Sequence, residues 1–153
     1  MSAPRVDFYV TEESGEAARL RLACRVTEKA YLGKHRVVVF FDEPALLPRF
    51  DELLWTFGDG SFVPHDTVTR DGAECIAPVA LTTGPLPANP APDERWQVLV
   101  NLGAAVPAFH ARFARIAEFL DARPEVRAAG RERFKSYRAN SMEPHTHNVR
   151  GDS

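Results

Sequence analysis

At 153 residues the chain fits one domain with a short tail, long enough to bury roughly 68–70% of its extended surface in a core. Hydrophobic residues make up 44% and charged residues 26%, ordinary for a globular protein, and a net charge of −2 excludes a general nucleic-acid binder. The charge is uneven: from Arg123 to Arg138 six basic residues meet two acidic ones, a local +4 that leaves −6 elsewhere and points to a small anionic partner.

RVDFYV (5–10) predicts a strand, with Val6, Phe8 and Val10 alternating. Thr11 to Ser14 offer helix caps, and Leu20, Ala23, Cys24, Thr27, Ala30 and Tyr31 keep helical spacing over 16–32, with Gly33 as the stop. RVVVFF (36–41) is a continuous β-branched and aromatic run, expected as a strand covered on both faces of a parallel sheet. A second helix is expected from about Pro44 to Phe57, with an irregular start at Pro48. ECIAPVALT (74–82) predicts a weaker strand that Pro78 pushes toward an edge or a bulge. GPLPANPAP (84–92) must be a loop, and WQVLVNLG (96–103) another buried strand. Phe109, Phe113, Ile116, Ala117 and Leu120 then predict a helix opened by Pro107, and Pro124 starts a further helix to about Asn140. The ending HNVRGDS is polar and expected to fray, so the domain is placed at 1–148 with a disordered tail at 149–153. This order implies a single three-layer α/β/α domain with a mostly parallel, Rossmann-like sheet.

The chemistry usual for such a sheet is missing from the sequence. The turn after the first strand, TEESGEAARL, has one glycine and three acidic residues ahead of the helix, where carboxylates would repel a phosphate. There is no GxGxxG and no GxxxxGK[ST], so the sheet is expected to lack a phosphate-binding loop and no cofactor is expected. His145 and His147 have only Glu143 close by in sequence and lie near a polar terminus, so no metal site is expected. Ser14, Ser61 and Ser136 lack a nucleophile context, and no catalytic residue is assigned. Cys24 and Cys75 read as buried thiols of a reducing compartment. With no signal-peptide core and no run of about 18 apolar residues, a cytoplasmic protein without a membrane partner is expected.

Two surfaces remain. LLWTFGDGSFVPH (53–65) places Trp55, Phe57 and Phe62 around a Gly-Asp-Gly turn that Pro64 stiffens at its exit. These aromatics either cover the bottom of the core or form a partly exposed patch for another protein. Arg127, Arg131, Phe134, Lys135 and Arg138 share one face of the last helix. That face is either a solvated basic side with Phe134 turned to the core, or a site for a peptide carrying acidic and aromatic groups.

FYVTEESGEAARLRLACRVTEKAYLGKHRVVVFFDE, DELLWTFGDGSFVPH, VLVNLG and FARIAEFLD…GRERFKSYR, in this order, resemble the chi subunit of bacterial DNA polymerase III over about residues 5 to 148. The resemblance implies a non-catalytic accessory subunit of the replicative polymerase, acting in a nucleoid-associated replisome. It implies binding of the psi subunit of the clamp loader through Trp55, Phe62 and Pro64. It also implies binding of the acidic, Pro-Phe-terminated tail of single-stranded-DNA-binding protein through Arg131, Phe134 and Lys135, with Arg138 beside them. DNA would be met only indirectly, and a repair helicase is an alternative partner at Trp55. The rival reading is a Rossmann-like nucleotide-binding protein or enzyme, with its ligand near Val10–Ser14 and Asn101–Gly103.

Overall fold

The computed structural model describes residues 3–56 and 62–150. Among these residues one parallel sheet carries seven strands: β1 (Arg5–Thr11), β2 (Val37–Phe40), β3 (His65–Val68), β4 (Val79–Thr82), β5 (Val98–Asn101), β6 (Arg115–Leu120) and β7 (His145–Val149). Their order across the sheet is β3-β4-β2-β5-β6-β1-β7. Helices α1 (Glu16–Leu32) and α2 (Leu46–Thr56) cover one face. Helix α3 (Pro124–Ala139), the segment that leads into Trp96, and the loop bearing Phe109 and Phe113 cover the other. Steps toward β3 run over the first face and steps back toward β7 over the second, as a uniformly right-handed crossover requires. The three-layer α/β arrangement expected from the sequence is the one observed.

Alternation within each strand feeds both cores. Val37 and Val39 point to α1 and α2 while Val38 points to the other face, and Ala117 and Phe119 alternate with Ile116 and Leu120 in the same way. Burying both faces is what made RVVVFF and WQVLVN legible as strands without alternation.

Several expectations need correction. The helix predicted from Pro107 through Leu120 is a 3₁₀ turn at His110–Arg112 followed by strand β6. Every residue from Ile116 to Leu120 is buried, which a strand covered on both faces demands and a surface helix does not. The strand predicted over 74–82 starts only at Val79 and lies inside the sheet between β3 and β2. Pro78 precedes it, so no ladder donor is lost, and the Pro78 carbonyl accepts the Val37 N–H at 2.9 Å. Strand β3 had no signal: four residues with the two central ones exposed. The polar ending does not fray at once, because β7 pairs with β1 from Asp7↔His145 to Thr11↔Val149 and so carries order into the first residue placed in the tail. Residues 151–153 lie outside the described residues.

Helix ends differ in detail. Gly15, at φ 114°, caps α1 with no side-chain hydrogen bond, in place of the residues at Thr11–Ser14. At its other end Gly33 has φ −80°, and the positive φ of 66° falls on Lys34. Helix α2 begins two residues after Pro44, and Pro48 sits in the first turn, where the missing N–H has no intrahelical acceptor to lose.

Candidate functional sites

The aromatic stretch sits where α2 hands over to edge strand β3. Leu54 is buried, but Trp55 is 48% and Phe62 57% exposed, and their rings pack together at 5.1 Å between centroids. Trp55 also leans on His65, at 4.7 Å. The His65 side chain is buried and held at both ring nitrogens, Nδ1 against the Val63 carbonyl at 2.7 Å and Nε2 against the Asp51 carboxylate at 2.7 Å. Asp51 therefore helps to fix the ring beneath Trp55. Pro64 is partly buried between Val63 and His65. Phe57 and the Gly58-Asp59-Gly60 turn lie outside the described residues. The structure brings Trp55 and Phe62 into one outward-facing patch on a rigid base. Singly exposed apolar residues are common on proteins, whereas a packed Trp–Phe pair on a fixed support has the composition of an interface centre.

On α3 the basic residues divide. Arg131, Lys135 and Arg138 are exposed, with Lys135 in a surface pair with Glu132 at 3.2 Å. Arg127 is partly buried and spends its guanidinium on backbone: Nε donates to the Asp121 carbonyl at 2.8 Å and Nη2 to the Thr11 carbonyl at 3.0 Å. Phe134 is partly buried against Phe8, with centroids 5.3 Å apart, so its ring joins the core and leaves only a margin between the exposed cations. Arg133 is 3% exposed and does not belong to the basic face at all. Its Nε donates to Glu118 Oε1 at 2.8 Å and its Nη1 to the Ala104 carbonyl at 3.0 Å. Tyr137 Oη and Asn101 Nδ2 complete the Glu118 carboxylate at 2.6 and 2.8 Å. Burial and the Glu118 charge together drive the Tyr137 phenol well above its ordinary range. This network joins α3 to β5 and β6; from sequence only Asn101 was named, as part of the rival ligand region and not as a partner of Glu118. A buried Glu in the run RIAEFL was the one available signal.

The crevice at the carboxyl edge of the sheet is the place where such folds take phosphate-bearing ligands. Here about 290 Å³ opens between the starts of α1 and α3 and the ends of β2 and β5. The anion position is already taken by the chain itself. Asp121 Oδ1 accepts the backbone N–H of Gly15 at 3.3 Å and of Arg123 at 2.9 Å, at the caps of both helices. The Arg123 guanidinium grips the same carboxylate at 2.9 and 2.8 Å. Burial works to raise the Asp121 pKa, but these bonds outweigh it and hold the acid below the usual carboxylate range. Glu16, Asp42, Glu43 and Glu125 line the crevice walls together with Arg19, Arg123 and Arg133. The Ala104 N–H, near the region proposed for a nucleotide, is bonded to Asp42 at 2.8 Å. This crevice is built to satisfy its own amides rather than to hold a phosphate.

The histidines considered for metal are separated in role. His147 bonds Asp7 at 2.8 Å and stacks on Tyr9, with centroids 5.0 Å apart, while His145 is an exposed residue of β7. No group of three or more His, Cys, Asp or Glu among the described residues could hold an ion. Both cysteines are buried thiols, pushed up by burial to about 12 at Cys24 and about 11 at Cys75. Among the described residues no helix is long and apolar enough to cross a membrane.

The family model described as DNA polymerase III chi subunit, HolC, matches residues 3–145. The chain is 37% identical over 134 residues to the DNA polymerase III subunit chi of Pseudomonas aeruginosa, covering 88% of this chain and 89% of that one. It is 26% identical over 135 residues to the subunit chi of Escherichia coli, covering 86% and 88% of the two chains. It is 23% identical over 147 residues to that of Haemophilus influenzae, covering 96% and 99%. The chain belongs to the DNA polymerase III chi subunit family.

Proposed function

We propose that this protein is a non-catalytic adaptor of the replicative DNA polymerase III holoenzyme, joining the clamp-loader assembly to DNA coated by single-stranded-DNA-binding protein. The psi subunit docks on Trp55, Phe62 and Pro64, and the acidic tail of single-stranded-DNA-binding protein lies along Arg131, Lys135 and Arg138 at the margin of Phe134. Phe57 belongs with the psi surface and Arg127 with the approach to the tail surface. The observation that carries the reading is the separation of these two surfaces. One sits at the β3 edge, on the α2 side; the other lies on α3, above β6 on the opposite face. Both partners can therefore be held at once. A weak tail site facing a many-tailed target gains by effective concentration, and its cations make it salt-sensitive. The protein acts in the bacterial cytoplasm and meets DNA only through its partners. Calorimetric titration with a peptide ending in Asp-Ile-Pro-Phe, beside one lacking the last Phe, tests the tail assignment. Binding of the intact peptide alone is expected; no binding of either refutes it.

A further inference from the structure

Four neighbouring strands are each entered past an arginine: Arg36 before β2, Arg95 before β5, Arg112 before β6, and Arg5 at the start of β1. These arginines gather at the amino edge of the sheet, the end opposite the crevice beside Asp121. Two are neutralised locally, Arg5 by Asp7 at 3.1 Å and Arg36 by Glu94 at 3.6 Å. Arg95 and Arg112 have no ion-pair partner among the described residues, and both line the same cleft of about 460 Å³. Its floor and roof are apolar: Leu86, Pro87, Trp96 and Phe113.

The cleft is preformed. Its roof is the proline-rich segment, tied down by Gly72 N–H to the Leu86 carbonyl at 2.8 Å, Leu86 N–H to Asp71 at 2.9 Å, and Ala88 N–H to the Ala73 carbonyl at 2.9 Å. Trp96 is fixed by its indole N–H on the Ala88 carbonyl at 2.9 Å and by the Arg36 guanidinium 5.9 Å over its ring. A rigid, largely apolar hollow of this size with a few polar groups at its mouth is the usual form of a small-molecule site. Two unpaired guanidinium forks select the charge of the occupant, since they match the geometry of a carboxylate, sulfonate or phosphate. Trp96 and Phe113, each 5% exposed, turn only the margins of their rings to the cleft, too little for a run of stacked bases.

We propose that this cleft binds a small organic anion: an acid group held between Arg95 and Arg112, with its apolar body between the proline-rich roof and the Trp96 floor. The site is separate from both protein-docking surfaces. Its test uses the full-length, nitrogen-15-labelled protein and follows the two indole N–H signals, with Trp55→Phe assigning them. Naphthalene-1-sulfonate is the probe, and 1-naphthalenemethanol its uncharged counterpart. The expected result is a saturable shift of the Trp96 signal with the sulfonate, at least tenfold weaker with the alcohol and in the Arg95→Gln/Arg112→Gln variant, and unchanged in Arg131→Gln. Equal response to the sulfonate and the alcohol, full binding by the double variant, or movement of the Trp55 signal alone overturns the proposal. The same titration with acetyl-Asp-Leu-amide separates a free anion from a peptide carrying similar groups. Binding no tighter than the sulfonate supports the small molecule, and tenfold tighter binding overturns that assignment.

Discussion

Arg133 and Arg131 stand two residues apart on α3 and serve opposite ends. Arg133 is shut under the helix with Glu118, Tyr137 and Asn101, and its charge is spent holding α3 to the sheet. Arg131, with Lys135 and Arg138, stands in solvent on the far side of the same helix. A helical projection shows six basic residues between Arg123 and Arg138, but half of them are committed to the fold. Arg123 grips Asp121, Arg127 reaches backbone carbonyls, and Arg133 is buried. What distinguishes a structural cation from a solvent-facing one is an acceptor contributed from outside the helix.

The largest expected effect breaks the inner row. Arg133→Ala leaves Glu118 buried without its counter-ion, which costs about 3–5 kcal/mol in urea unfolding, while Arg131→Ala stays within about 0.5 kcal/mol of wild type. Similar losses in both would erase the distinction. Next is Gly130, where α3 lies so close to β6 that a Cβ would run into the Leu120 side chain. Gly130→Val is expected to cost about 1–3 kcal/mol by overpacking. An unchanged midpoint would mean that the helix can lift away from the strand.

The outer row is sharpened by affinity rather than stability. Lys135→Ala or Arg131→Ala is expected to weaken the tail peptide about tenfold, or about 1.4 kcal/mol, with an unaltered unfolding midpoint. Equal affinity in both variants and wild type sinks the site. The smallest effect is in acid. The Asp121 pKa is lower folded than unfolded, so its contribution is complete above the ordinary carboxylate range and is lost as pH falls through the folded value. Melting temperature should therefore hold from neutral pH to about pH 5 as far as this group decides it, and drop below about pH 4. Asp121→Asn should flatten that drop; an equally steep one would place the acid sensitivity elsewhere.

Much of the architecture was legible because its signals are local. Strands β1, β2 and β5 carry β-branched runs, and α1 and α3 keep helical spacing with a glycine or proline at an end. Strand β6 was hidden by Glu118, which interrupts the apolar run, and by five apolar residues that happen to fall at helical intervals. Strands β3 and β7 are polar because they are the sheet edges, where one flank stays in water. At the sites, exposure of Trp55 was foreseeable from the neighbouring turn residues. The role of Arg133 was not, since its partner lies on another element 15 residues away. Acidic residues were visible after β1, yet the acid that takes the Gly15 and Arg123 N–H groups, Asp121, comes from the far end of β6.

The central claim is that two surfaces act independently. It is tested most directly by titrating a labelled tail peptide into the wild-type protein, into the same protein saturated with psi, and into Phe62→Ala. The account predicts the same dissociation constant in all three, with psi binding lost only in Phe62→Ala. Displacement of the peptide by psi, or loss of both partners in a Phe62→Ala protein that keeps its native fold, would contradict it.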